Sequence, residues 1–265
     1  MKVLALSVSF LLSFPVAGSS QQASSSGANS THAVTMLTQS VAGLTGNTTL
    51  TDVALSGTAR RIAGSDDDSG TVTLKAVSNG SARLDFSLSS GPSAEISNLS
   101  STPAGAWSGP DSISHAISYH NLLTEPAWFS PSIAIARRIS SSNFIAAYIG
   151  HETLNGHAVE HVSLSQVASS PDPPGGPSFS HLTQVDFYLD STTLLPAALS
   201  FNVHPDNNAL LDIPVEIQFS DYRNVSGAQI PFHIQKFLNN SLLLDLQIQS
   251  AALNTGLAAS SFSIQ

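Results

Sequence analysis

Leu50–Ala63 (LTDVALSGTARRIA) and Gly70–Ala76 (GTVTLKA) decide how this chain folds. In both, apolar and polar residues alternate, which puts one set of side chains on each face of an extended strand. Gly64–Ser69 (GSDDDS) between them reads as an acidic turn. Ser78-Asn79-Gly80 then turns the chain into Ser81–Leu88 (SARLDFSL), and a further short strand covers Ala94–Leu99. Asn-Gly and Gly-Pro punctuation joins these runs as successive β-hairpins. Alternation of this kind means one buried face and one wet face, the antiparallel arrangement.

The pattern returns downstream. Phe144–Glu152 and His157–Gln166 meet at the hairpin turn Leu154-Asn155-Gly156-His157. A Pro/Gly-rich loop, Ser169–Ser180, leads to His181–Asp190, then Ala197–His204, Val215–Tyr222, Ile230–Phe237 and Leu242–Gln249, with a last element ending near Phe262. About ten or eleven strands in sequential hairpin order cannot stay flat and should curl. Helical spacing is confined to three places. The first runs from Ser30 or Thr31 to Leu44 (Val34, Met36, Leu37, Val41, Leu44). The others are Asp111–Leu123 (Ile113, Ile117, Leu122) and Ser130–Ser140 (Ile133, Ile135, Ile139). The expectation is a mainly β single domain over 31–265 with a few helices and a helical segment near 101–142. A Ser-rich tract over 20–30 precedes it and is expected to be disordered.

The first nineteen residues have the composition of a signal peptide. Lys2 supplies a positive start, Val3–Phe14 (VLALSVSFLLSF) an apolar stretch, Pro15 a break, and Ala17-Gly18-Ser19 small residues for cleavage. The apolar stretch is shorter than the ~20 residues a bilayer span requires. Export to the periplasm or the exterior is therefore expected, with no transmembrane anchor. Only 10% of residues are charged, against about 25% in ordinary soluble domains. The net charge is −9, and the nearest approaches to a basic run are Arg60-Arg61 and Arg137-Arg138. A nucleic-acid partner, which requires clustered Lys and Arg, is thereby excluded. The chain has no cysteine, which removes a lipid-anchoring cysteine, a thiolate nucleophile and any Cys-based zinc site.

Catalytic chemistry is not legible. There is no Gly-x-Ser-x-Gly elbow, no Ser-x-x-Lys and no His-Glu-x-x-His. His151, His157 and His161 cluster on one hairpin. A two-residue turn at Asn155-Gly156 would set His151 opposite Glu160 and leave His157 and His161 about 13 Å apart, too far for one zinc. Asp66-Asp67-Asp68 lacks the alternating ligand spacing of a Ca²⁺ loop. No catalytic residue, metal site or cofactor is expected.

The second half carries a recognisable series. A strand ending Tyr188-Leu189-Asp190 is followed by Ser191–Pro196 (STTLLP); Phe219–Arg223 (FSDYR) is followed by Val225-Ser226-Gly227 and Ile230-Pro231. The end reads Ile248 to Leu253-Asn254, then Leu257 and Phe262, and Gly150–His157 (GHETLNGH) precedes the series. This resembles the LolA-like periplasmic lipoprotein-carrier superfamily, over 144–265 by motif and over 31–100 by element order. The resemblance implies an unclosed antiparallel half-barrel with helices on its concave face and an apolar cavity for acyl chains. Trp107, Trp128, Phe129, Ile133 and Ile135 are the candidate residues to line or lid such a cavity, and Trp128→Ala is expected to weaken lipid uptake more than stability. The function expected is non-enzymatic binding of a lipid, a lipidated protein or another amphiphile, as carrier or sensor. The alternatives are a protein-interaction module of the cell envelope with a filled half-barrel, and a serine hydrolase with an unrecognised Ser/His/Asp arrangement.

Overall fold

The computed structural model describes residues 21–46, 48–172 and 174–264; the expected signal peptide lies outside them. The described residues form thirteen strands in one antiparallel sheet. The first half contributes β1 (Asp52–Ala63), β2 (Asp66–Val77), β3 (Ala82–Leu88), β4 (Gly91–Asn98), β5 (Ala104–Ser108) and β6 (Ser114–Ala116). The second contributes β7 (Phe144–Leu154), β8 (His157–Gln166), β9 (Val185–Asp190), β10 (Pro196–Val203), β11 (Ile213–Val225), β12 (Ala228–Leu238) and β13 (Ser241–Leu253). Two meanders join where β1 pairs with β13, Val53 opposite Leu253 and Arg61 opposite Leu244. The outermost strands, β6 and β7, do not pair with each other, so the sheet curls as a half-barrel without closing.

Local chemistry explains most of the hairpins. Asn155 and Gly156 take φ of 51° and 82°, the left-handed pair that a type I′ turn requires, and His151 falls opposite Glu160 as expected. The acidic turn is tighter than its sequence suggests. Only Gly64 and Ser65 turn, and Asp66, Asp67 and Asp68 pair with Ala63, Ile62 and Arg61 inside the β1–β2 ladder. Arg60 donates to both carboxylate oxygens of Asp67, at 2.8 and 2.6 Å, and Ser89 donates to Asp68 at 2.8 Å. These partners hold residues of low strand preference in extended geometry.

One core lies between the inner face of the sheet and two helices, α1 (Gln21–Thr45) and α2 (Pro131–Ile139). Ala33, Leu37, Ser40 and Leu44 form the buried stripe of α1, which packs on β7, β12 and α2. The helix begins at Gln21. Pro131 starts α2 at a position where its missing N–H costs nothing. From the sheet, Val185, Phe187 and Leu189 of β9, Val215, Ile217 and Phe219 of β11, and Leu244, Leu246 and Ile248 of β13 point inward at alternate positions.

The expected helix at Asp111–Leu123 is not formed. Ser112 takes φ 59°, outside helical space, and Ile113 is 57% exposed. Ser114–Ala116 instead extends the sheet, with His115 opposite Trp107. Only the last residues, Asn121–Leu123, make a short 3₁₀ turn, with Leu122 buried. Ile113 found no core to face, and the open edge of β5 offered backbone hydrogen bonds. A third, one-turn helix, α3 (Phe179–Leu182), ends the Pro/Gly-rich loop and is capped by Ser178, whose Oγ accepts from the His181 N–H at 3.2 Å.

Candidate functional site

Arg138 fixes the segment that carries Trp128 and Phe129. Its guanidinium is buried and donates to the carbonyls of Ala134 and Thr124, both at 2.9 Å, tying the segment to α2. Trp128 and Phe129 meet edge to face at 5.8 Å and are 2% and 0% exposed. With Ile135, also 0% exposed, they belong to the core between the sheet and the helices.

The expected set of five therefore divides. Trp128, Phe129 and Ile135 are core. Trp107 stands apart on β5, 47% exposed and stacked on His115 at 4.3 Å. It borders two surface hollows, one of about 320 Å³ shared with Phe86, Leu88, Glu95 and Pro110. Ile133 alone reaches an opening beside the helices. This cleft, about 320 Å³, has Val41, Leu50, Ile133 and Ala136 as its apolar surface and Thr45, Thr48, Thr49, Ser78 and Ser132 as hydroxyl-bearing neighbours. Val41 and Leu50 were not singled out from sequence, because their apolar character is ordinary until α2 is placed beside them.

A buried charged group underlies Trp128. Lys236 follows Ile230, Phe232 and Ile234 on the inward face of β12 and is 6% exposed. Its Nζ lies 2.6 Å from Glu125 Oε1 and 5.0 Å above the Trp128 ring, a cation–π contact. Burial alone would lower the Lys236 pKa, but Glu125 and Glu95 outweigh it and hold the ammonium above its ordinary value. Burial, then repulsion from Glu125, pushes Glu95 up to about 7, with Lys236 opposing. A cation in the inward register of an apolar strand was the available sequence signal; its two partners had none.

The histidines distribute as structural pairs and one convergent group. His151 and Glu160 meet at 2.9 Å. His161 bridges Glu152 at 2.8 Å and Asp186 at 3.2 Å; burial opposes its protonation, but the two carboxylates prevail and raise its pKa. On the β11–β13 surface Ser220 Oγ lies 3.0 Å from His233 Nδ1, and His233 Nε2 lies 2.8 Å from Asp245. This has the order of a nucleophile, base and orienting acid. None of the hollows described here borders it, and its strands pair in the β11–β12 and β12–β13 ladders, with Asp221 left out of register beside Ser220. Sequence could not reveal it, since register alone brings the three together. Among the described residues, one set of potential metal-ligating atoms, from His181, His204 and Asp212, lies within 4.8 Å.

No family model matches the chain, and no curated protein matches it by sequence. Solved structures do match by fold. A domain described as an outer membrane lipoprotein-sorting protein from Vibrio parahaemolyticus superposes with a TM-score of 0.56 at 14% identity, over 88% of this chain and 97% of that one. A LolA superfamily protein from Nitrosomonas europaea gives 0.53 at 12% identity, over 88% and 97%. A DUF1329 family protein from Desulfovibrio piger gives 0.55 at 9% identity, over 89% and 97%. The chain has the LolA-like fold along most of its length.

Proposed function

We propose that this is an exported, non-enzymatic protein that binds a lipid or other amphiphile, acting as an acyl-chain carrier or sensor in the cell envelope. The observation that carries this reading is the cleft between α1 and α2. It joins an apolar surface of Val41, Leu50, Ile133 and Ala136 to five hydroxyl-bearing residues, the division of surface an amphiphile needs. At about 320 Å³ it stands at the lower end of the ~300–1,000 Å³ range of small-molecule sites. Two proteins of the same fold, described as lipoprotein-sorting and LolA-like, support the same direction, and the N-terminal leader supports export. Each buried methylene would contribute about 0.8 kcal/mol before ordering costs, so a short stretch of acyl chain suffices for measurable affinity.

Native mass spectrometry of the purified chain, against the same sample denatured, tests the reading. A co-purifying mass of a few hundred daltons that is absent from a folded Ala136→Phe variant, whose ring fills the cleft, is expected. A clean apo mass that persists after incubation with a lipid extract would overturn it. A second reading, a protein-interaction module, is favoured by the burial of Trp128, Phe129 and Ile135 in the core between the sheet and the helices, and that apo result would move the assignment to it. A serine-hydrolase probe that labelled Ser220 would point instead to the Ser220–His233–Asp245 array.

A further inference from the structure

We propose that His181, His204 and Asp212 form a binding site for a transition-metal ion of the Zn²⁺ class. Separate parts of the chain converge there: α3 supplies His181, the residue after β10 supplies His204, and the residue before β11 supplies Asp212. His181 Nε2 lies 2.9 Å from Asp212 Oδ1, and His204 Nδ1 lies 3.5 Å from the same oxygen. The backbone around His204 is locked. Asn121 accepts from its N–H and donates to its carbonyl, each at 2.9 Å.

The His204 ring is the observation that calls for a cation. Its side chain is 1% exposed. Nδ1 faces two acceptors, the Leu211 carbonyl at 3.2 Å and Asp212, while Nε2 is buried with no partner. With the proton on Nδ1, Nε2 is a buried lone pair with no donor facing it. With the proton on Nε2, Nδ1 turns a lone pair toward two oxygens and the N–H goes unmet. Either way a buried polar atom is left unsatisfied, which folded proteins avoid. A metal on Nε2, with the Nδ1–H donated to the Leu211 carbonyl, resolves this, and one nitrogen on metal with the other N–H on a carbonyl is how metal-ligating histidines are usually oriented.

The donor set defines the ion. Two imidazoles and one carboxylate suit Zn²⁺, Co²⁺ or Ni²⁺, whereas Ca²⁺ and Mg²⁺ favour oxygen ligands. At metal–ligand distances near 2.1 Å, tetrahedral ligands stand about 3.4 Å apart. The three atoms already lie within 4.8 Å of one another, so small side-chain rotations close the site. His181 also borders a hollow of about 150 Å³ with Gln184, Ser200 and Asn202, which provides entry from solvent. The His120 ring lies 5.6 Å from that of His204, and its Nε2 is likewise buried without a partner.

The test is calorimetric titration of Zn²⁺ into the chelator-stripped full chain, with Co²⁺ absorption as a report on coordination. One ion per chain is expected. His181→Ala and Asp212→Asn, both at part-exposed positions that leave the fold intact by circular dichroism, should each weaken binding about 10-fold or more. His157→Ala, on the distant hairpin, should leave affinity unchanged. Absence of a one-to-one site, or affinity that survives both site variants or falls with His157→Ala, would overturn the proposal.

Discussion

Glu95→Gln isolates the buried charge group beneath Trp128. The Glu95 carboxyl titrates at about 7 in the folded chain against an ordinary 4.5, because it is desolvated and faces Glu125. A raised folded-state pKa means that the native protein holds the proton after the unfolded chain has lost it. The stabilising contribution is therefore complete below about pH 4.5 and is lost as pH rises through 7. Integrating the two titrations from pH 5 to pH 8 gives a loss of about 2–3 kcal/mol. Gln has similar shape and no charge, so the variant should not share that loss. Urea unfolding of both proteins at pH 5, 6, 7 and 8 measures the difference directly, and contributions from other groups such as His161 cancel in the comparison. The variant should gain about 2–3 kcal/mol relative to the parent between pH 5 and pH 8. A stability difference that is the same at both ends, or that moves against the variant, would refute the assignment of a desolvated, repelled carboxyl to Glu95.

Trp128→Ala should cost about 3–5 kcal/mol in chemical denaturation, because the ring is 2% exposed and supports both Phe129 and Lys236. Two glycines should respond in opposite directions in thermal melts. Gly57→Ala would set a Cβ 2.1 Å from the Gln247 carbonyl oxygen at the β1–β13 bulge and should destabilise by about 1–3 kcal/mol. Gly43→Ala, on α1, meets only ordinary contacts at 3.7 Å and beyond and should stabilise by about 0.5–1 kcal/mol.

How far sequence reached depended on the range of the interaction. Alternation in Leu50–Ala63 and Gly70–Ala76, and the Asn155-Gly156 turn, set the strands, their hairpin order and the His151–Glu160 register through contacts between chain neighbours. The stripe containing Leu37 and Leu44 marked α1, and the spacing of Ile133, Ile135 and Ile139 marked α2. A period-two strand in a tight hairpin has one sensible partner, and a one-residue slip would turn its apolar side chains to water. Those elements, together with the family resemblance, were enough to anticipate the half-barrel.

Tertiary structure decided everything that depended on distant segments meeting. Asp111–Leu123 carried helical spacing, but a short apolar run takes the form of whichever surface receives it, and the β5 edge drew Ser114–Ala116 into the sheet. Trp107 and Trp128 belong to one stretch of sequence, yet one is 47% exposed and the other 2%, because the chain between them crosses from the edge strand into the core. The α1–α2 cleft, the Lys236–Glu125–Glu95 group and the meeting of His181, His204 and Asp212 join residues far apart in the chain. No local preference specifies such contacts. They form only when burial of the whole core offsets the entropy of bringing their segments together, so composition and periodicity determined the elements and the packed sheet determined the sites.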